Sequence, residues 1–116
     1  MEGDASVEGV LDTIGDDYAR QILVALSREP RPAKDLAEAC DISLPTVYRR
    51  LEQLEAHELV TGHTDTDEQG NEFKRYECAF ESTVISLTDD EYDVRIYREG
   101  RLPDRFSQLW DDLGME

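Results

Sequence analysis

Three consecutive residues, Tyr48, Arg49 and Arg50, place a phenol and two guanidiniums in a stretch, 42–51, that contains no acid, although the chain as a whole is strongly acidic. A guanidinium is a planar fork of donors that matches phosphate oxygens and the edge of a guanine, so the chemistry on offer is recognition of phosphate and bases rather than bond making. Ser43, Pro45 and Thr46 stand just before them and share the same polar surface. The element that positions them is read from 42–56, ISLPTVYRRLEQLEA. Leu44, Val47, Leu51 and Leu54 recur at steps of three and four, which predicts an α-helix over 43–56 with those four residues in the core. Ser43 suits the N-cap because its hydroxyl can accept from an unpaired backbone N–H. Pro45 is tolerated in the first turn, where no intrahelical donor is lost.

What precedes this helix gives it a role. Residues 32–39 (PAKDLAEA) form a short amphipathic run around Leu36, and Cys40, Asp41 and Ile42 make a tight connection. A short helix, a brief turn and a capped second helix make a helix-turn-helix, whose second helix enters the DNA major groove. At ~1.5 Å per residue the second helix is about 21 Å long, enough to cross a groove about 12 Å wide. The bland alternative is two helices that meet at a sharp turn inside an all-α core.

Composition sets the outer bounds. With 116 residues and 39% hydrophobic content, one compact domain is expected, and no apolar run approaches the ~20 residues of a membrane span. The amino terminus lacks the basic and apolar regions of a secretory signal, so a cytoplasmic protein is expected. Cys40 and Cys78 are too few and too far apart for a disulfide framework or a metal motif. A net charge of -16, from 28 acidic against 12 basic residues, is the wrong sign for a protein that binds a polyanion. Only Lys34 and Lys74 are lysines, and the acids are spread along the chain. That composition is similar to proteins of salt-loving archaea, and in ~1 M salt the Debye length of about 3 Å would screen much of the repulsion. The alternative is that the acidity reports a basic protein partner.

The remaining elements frame the helix-turn-helix. Residues 5–14 carry Val7, Val10, Leu11 and Ile14 at helical spacing, and Gly15, Asp16 and Asp17 break the run. Residues 18–27 place Ala19, Ile22, Leu23 and Leu26 on one face, the expected spine of the core, closed by Glu29, Pro30, Arg31 and Pro32. After the second helix of the motif, 59–64 and 73–80 read as a strand pair joined by a polar loop holding Gly70 and Asn71. A helix-turn-helix followed by such a hairpin is a winged helix. The wing's candidate contacts are Lys74 and Arg75, then His63, Gln69 and Asn71, while Asp65, Asp67, Glu68 and Glu72 oppose a close approach of the tip. Residues 83–88 and 92–98 predict an added hairpin around Asp89, Asp90 and Glu91. A last helix, 104–113, carries Phe106, Leu109, Trp110 and Leu113. With the first helix it is the expected surface of a homodimer. The fold class is thus α+β, with a winged helix-turn-helix at 1–82 and a hairpin-plus-helix extension at 83–116.

The stretch 15–60, GDDYARQILVALSREPRPAKDLAEACDISLPTVYRRLEQLEAHELV, resembles the ArsR-type winged helix-turn-helix of bacterial and archaeal transcription regulators, the resemblance covers 16 to about 80, and the added hairpin and acidity resemble its haloarchaeal members. The resemblance implies a homodimer on an inverted-repeat operator, its recognition helices ~34 Å apart. It also implies double-stranded DNA contacts from Ser43, Pro45, Thr46, Tyr48, Arg49 and Arg50, with Lys74 and Arg75 from the wing, and salt cations at the interface. The chain departs from the metal-sensing members, which place a cysteine pair where Arg31, Pro32, Ala33 and Lys34 stand. Cys40 alone cannot supply the soft ligands of a thiolate site, and His57 with His63 read as surface or packing residues rather than ligands, so neither a metal nor a cofactor is expected. No glycine-rich phosphate loop or nucleophile elbow points to an enzyme. The rival reading is a winged helix that binds a protein through the same groove-sized helix and does not bind DNA.

Overall fold

Residues 17–28 form the helix around which the rest is assembled, α2 (Asp17–Arg28) in a computed structural model that describes residues 3–98, with side chains from Val7 onward. Ala19, Ile22, Leu23, Ala25 and Leu26 are its buried stripe, as their spacing predicts. Asp16 caps it, accepting from the Ala19 N–H at 2.8 Å, and Arg28 in the last turn matches the dipole. The helix before it, α1 (Gly3–Ile14), ends at Gly15 and buries Val10.

The segment after α2 departs from expectation. Arg31–Pro32, read from sequence only as the stop of a helix, form a two-residue strand, β1. Pro30 and Pro32 hold Glu29 and Arg31 extended, because a residue that precedes proline is driven out of the helical region. α3 (Ala33–Cys40) follows and buries Ala33 and Leu36. Asp41 then adopts the left-handed conformation, φ 56°, so that its N–H donates to Glu38 O at 3.3 Å and the Ile42 N–H donates to Ala37 O at 3.0 Å. This is the Schellman closure, with aspartate where glycine is commoner, and it turns the chain sharply into the next helix.

That helix is α4 (Leu44–Ala56), capped by Ser43 with Pro45 in its first turn. Val47, Leu51 and Leu54 are buried on it, together with Ile42 just before it. Leu44 is a correction: it is 36% exposed, because it lies in the first turn and to one side of the buried stripe, and Ile42 fills the core position instead. Ile22, Leu36, Val47, Leu51, Leu54 and Leu59 are the fully buried heart, where α2, α3 and α4 meet the start of the wing. A fully buried leucine or valine contributes ~1.5–3 kcal/mol relative to exposure, and this cluster fixes the three helices on one another.

The wing is β2 (Val60–Thr66) and β3 (Glu72–Cys78), antiparallel, with Gly62 opposite Tyr76. At its tip the Asp67 carboxylate accepts from the N–H groups of Gln69 and Asn71, and Gly70 has φ 85°. β1 joins the far side of β3, giving the order β1-β3-β2. The added hairpin, β4 (Ser82–Thr88) and β5 (Glu91–Tyr97), is a separate two-stranded sheet. Asp89 and Asp90 both have positive φ and form its two-residue turn, the pattern of a type I′ hairpin. Ile85 opposite Val94 and Leu87 opposite Tyr92 share a face, on which Ile85, Leu87 and Tyr92 stay exposed, and Tyr92 also lines a shallow groove with Val7 and Leu11 of α1. The last helix predicted over 104–113 lies outside the described residues. No helix among the described residues is long and apolar enough to cross a membrane.

Candidate nucleic-acid interface

The outward face of α4 follows from its buried one. Successive residues turn by about 100°, so Arg49, two positions from both Val47 and Leu51, stands opposite the core stripe. Arg49 is exposed and has no carboxylate partner among the described residues. Tyr48 is 52% exposed on one flank, and Pro45 is exposed with Arg49. Ser43 and Thr46 are engaged with each other: the Ser43 hydroxyl donates to Thr46 Oγ1 at 2.9 Å and accepts from the Thr46 N–H at 3.4 Å. Their hydroxyls shape the start of the helix before they offer anything to a ligand.

Arg50 does not share this face. Its Nε donates to Asp16 Oδ2 at 2.7 Å and its Nη2 donates to Asp16 Oδ1 at 3.1 Å, a bidentate pair. The guanidinium also lies over the Tyr18 ring, 5.5 Å from its centroid, and the side chain is 19% exposed. The bond from Arg50 holds the Asp16 carboxyl below its ordinary range, and the same bond raises the Arg50 pKa. The sequence reading set Arg50 beside Arg49 on the outer surface; the structure turns it back onto the N-terminus of α2. The partner stands 34 residues away in sequence, and local spacing gives no sign of it.

The wing cations are also paired, more loosely. Lys74 Nζ lies 3.5 Å from Glu55 Oε2, over the Tyr76 ring and across Gly62, whose missing side chain leaves the room. Arg75 Nη1 lies 3.5 Å from Asp65 Oδ2, with its guanidinium over Phe73. Being consecutive in a strand, Lys74 and Arg75 point to opposite faces of the sheet, Lys74 toward α4 and Arg75 away from it. His63 Nε2 is 3.5 Å from Glu77 Oε2 on the outer strand pair. Gln69 and Asn71 are exposed at the tip among Asp67, Glu68 and Glu72.

A groove between the start of α3, α4 and the wing is lined by Lys34, Tyr48, Asp67, Phe73, Lys74 and Tyr76. Lys34 was not singled out from sequence, where it read as part of a short amphipathic helix; it is exposed in the first turn of α3, without a carboxylate partner among the described residues. Only the sharp turn at Asp41, which folds α3 against α4, brings it near Tyr48. Cys40 and Cys78 are free thiols, and burial pushes the Cys40 thiol up, away from the reactive thiolate. Among the described residues no group of three or more His, Cys, Asp or Glu could hold a metal ion.

Comparison with known proteins agrees with this geometry. Residues 14–63 match a helix-turn-helix domain family. The crystal structure of NolR from Sinorhizobium fredii superposes with a TM-score of 0.53 at 19% identity, covering 97% of this chain and 88% of that one. The crystal structure of an ArsR family transcriptional regulator superposes with a TM-score of 0.51 at 19% identity, covering 91% of this chain and 97% of that one. No curated protein sequence matches the chain. At that identity the likeness is one of fold, and the helix order, the Asp41 turn and the β2–β3 hairpin agree with it: the chain has the winged helix-turn-helix fold, with a helix-turn-helix domain at residues 14–63.

Proposed function

We propose that the chain is a sequence-specific transcription regulator that binds double-stranded DNA as a homodimer, with α4 in the major groove at each half of a promoter operator. The observation that carries this reading is the face of α4 opposite the core stripe, where Tyr48 and Arg49, the latter unpaired among the described residues, stand exposed on a capped helix flanked by a wing. An arginine with no internal partner is ready for a guanine edge or a phosphate. The likeness to an ArsR family regulator and to NolR supports the same reading. The net charge of -16 is compatible with it in concentrated salt, where cations fill the gap between acidic side chains and phosphate. A cytoplasmic setting and a salt-loving source belong to the same proposal.

The test is selection of duplexes from a random pool by the full chain, followed by binding of the enriched sequence to wild type and to the double variant Tyr48→Ala with Arg49→Ala. Enrichment of an inverted repeat, and loss of its binding in the variant, is the expected result. A pool that stays unenriched overturns the proposal. A second reading, a protein-binding winged helix, is favoured by one specific observation: Arg50, Lys74 and Arg75 are already paired with carboxylates of their own chain. It predicts no enrichment and capture of a basic protein through the acidic surface.

A further inference from the structure

We infer that Arg50 is a positioning residue for DNA recognition: through Asp16 it fixes the rotation of α4 about its own axis and does not itself touch DNA. This rests on the DNA-binding reading above. The Asp16 carboxylate holds two helices at once, since Oδ2 accepts both the Ala19 N–H that caps α2 and the Nε of Arg50 from α4, while Oδ1 accepts Nη2. The Tyr18 ring faces the same guanidinium, its centroid 5.5 Å away. α2 is held by its buried stripe, so this is a fixed point on the core and not a loop contact.

The geometry of α4 gives the contact its consequence. Arg49 and Arg50 are about 100° apart on the helix. A rotation large enough to bring Arg50 outward, about 100°, would carry Arg49 to the flank where Tyr48 stands and Tyr48 onto the buried position of Val47. The buried stripe of Val47, Leu51 and Leu54 resists large rotation, but apolar packing is non-directional and tolerates small ones. A bidentate arginine-carboxylate pair is directional and removes that freedom. Charge also separates the two arginines: a phosphate would have to displace Asp16 from Arg50 and leave the carboxylate facing the backbone of the DNA, whereas Arg49 has nothing to surrender. The pair therefore sets where the reading side chains point, and a helix loosened at this point would still attract DNA while reading it less well.

The experiment uses the full chain as wild type, Arg49→Gln, Arg50→Gln and Asp16→Asn, with the duplex enriched by selection and a scrambled duplex as probes. Asparagine keeps the N-cap, so Asp16→Asn removes the clasp without unravelling α2. Circular dichroism establishes that each variant is folded at the assay temperature. Arg50→Gln and Asp16→Asn should each weaken the selected duplex by roughly tenfold, the scale of one lost base contact, and leave the scrambled duplex within about twofold. Neither should flatten the dependence of log affinity on log salt, whereas Arg49→Gln should flatten it by about 0.9 per protomer. A merely structural role would lower both duplexes together. Tighter binding or a steeper salt slope for Asp16→Asn, either of which would mean that a released Arg50 reaches phosphate, overturns the inference. If wild type enriches no duplex at all, the DNA-binding reading fails first and this inference with it.

Discussion

For the proposed complex with DNA, the dependence of binding on salt can be worked out from which cations are already paired. Five lysines and arginines lie on α3, α4 and the wing strands: Lys34, Arg49, Arg50, Lys74 and Arg75. Arg50, Lys74 and Arg75 each hold a carboxylate of the chain. A phosphate that takes one of them releases a DNA counterion, but the carboxylate left behind takes one up, so the exchange is close to neutral in salt. Only Lys34 and Arg49 count in full, which makes four in the proposed homodimer. At about 0.9 per contact the slope of log affinity against log salt is roughly -3.6, a loss of about 150-fold between ~50 and ~200 mM. Uptake of cations by the remaining acidic surface makes the dependence shallower still. If all five cations per protomer met phosphate from an unpaired state, the slope would be roughly -9 and the loss on the order of 10⁵. The assay is fluorescence anisotropy of the selected duplex across potassium chloride concentrations, wild type against Arg49→Gln. A slope steeper than about -6 would refute the idea that the internal pairs offset contact with the backbone.

Three further outcomes follow from the described residues. Leu51→Ala, at a position that is 1% exposed, should lower the unfolding free energy by about 2–5 kcal/mol in urea titration. Acid should weaken the fold through Asp16: its folded-state pKa is lowered by Arg50, so its stabilising contribution is complete above the unfolded value near ~3.9 and is lost as pH falls through the lower folded value. Thermal midpoints of wild type and Asp16→Asn, compared from neutral pH downward, should converge in acid; a constant difference would refute the assignment. Gly70→Ala should cost about 1 kcal/mol, because φ 85° penalises a side chain by ~1–2 kcal/mol and the reduced entropy of the unfolded chain returns part of it, while no atom lies within 4 Å to clash. Differential scanning calorimetry reads this directly.

The elements were legible in the sequence wherever local periodicity carried them. Ile22 to Leu26 and Val47 to Leu54 show their buried faces through spacing alone, and Ser43 and Asp16 announce helix starts through their capping chemistry. What was hidden depended on distance along the chain. β1 is two residues long, and its partner Tyr76 is 45 positions on, too short and too remote for alternation to reveal. Leu44 shares the spacing of the core leucines, yet in the first turn it falls where the packing has not closed. Arg50 lies about 40° from Leu54 on a helical wheel, at the edge of the core stripe, but a wheel drawn without α2 cannot name Asp16 as its partner. The wing cations were found by composition, but the strand's alternation sends Lys74 and Arg75 to opposite faces. The added hairpin was expected, whereas its contact with α1 through Tyr92 was not.

The two residues of β1 make the wing and the helix-turn-helix mechanically one piece. Arg31 and Pro32 pair with Tyr76 and Arg75 of the wing's central strand, and Ala33 begins α3 in the next position. A tilt of the wing is therefore a pull on the first turn of α3, transmitted through backbone without any slack side chain between them. β3 is thus the beam on which both the wing loop and the first turn of α3, with Lys34, are mounted.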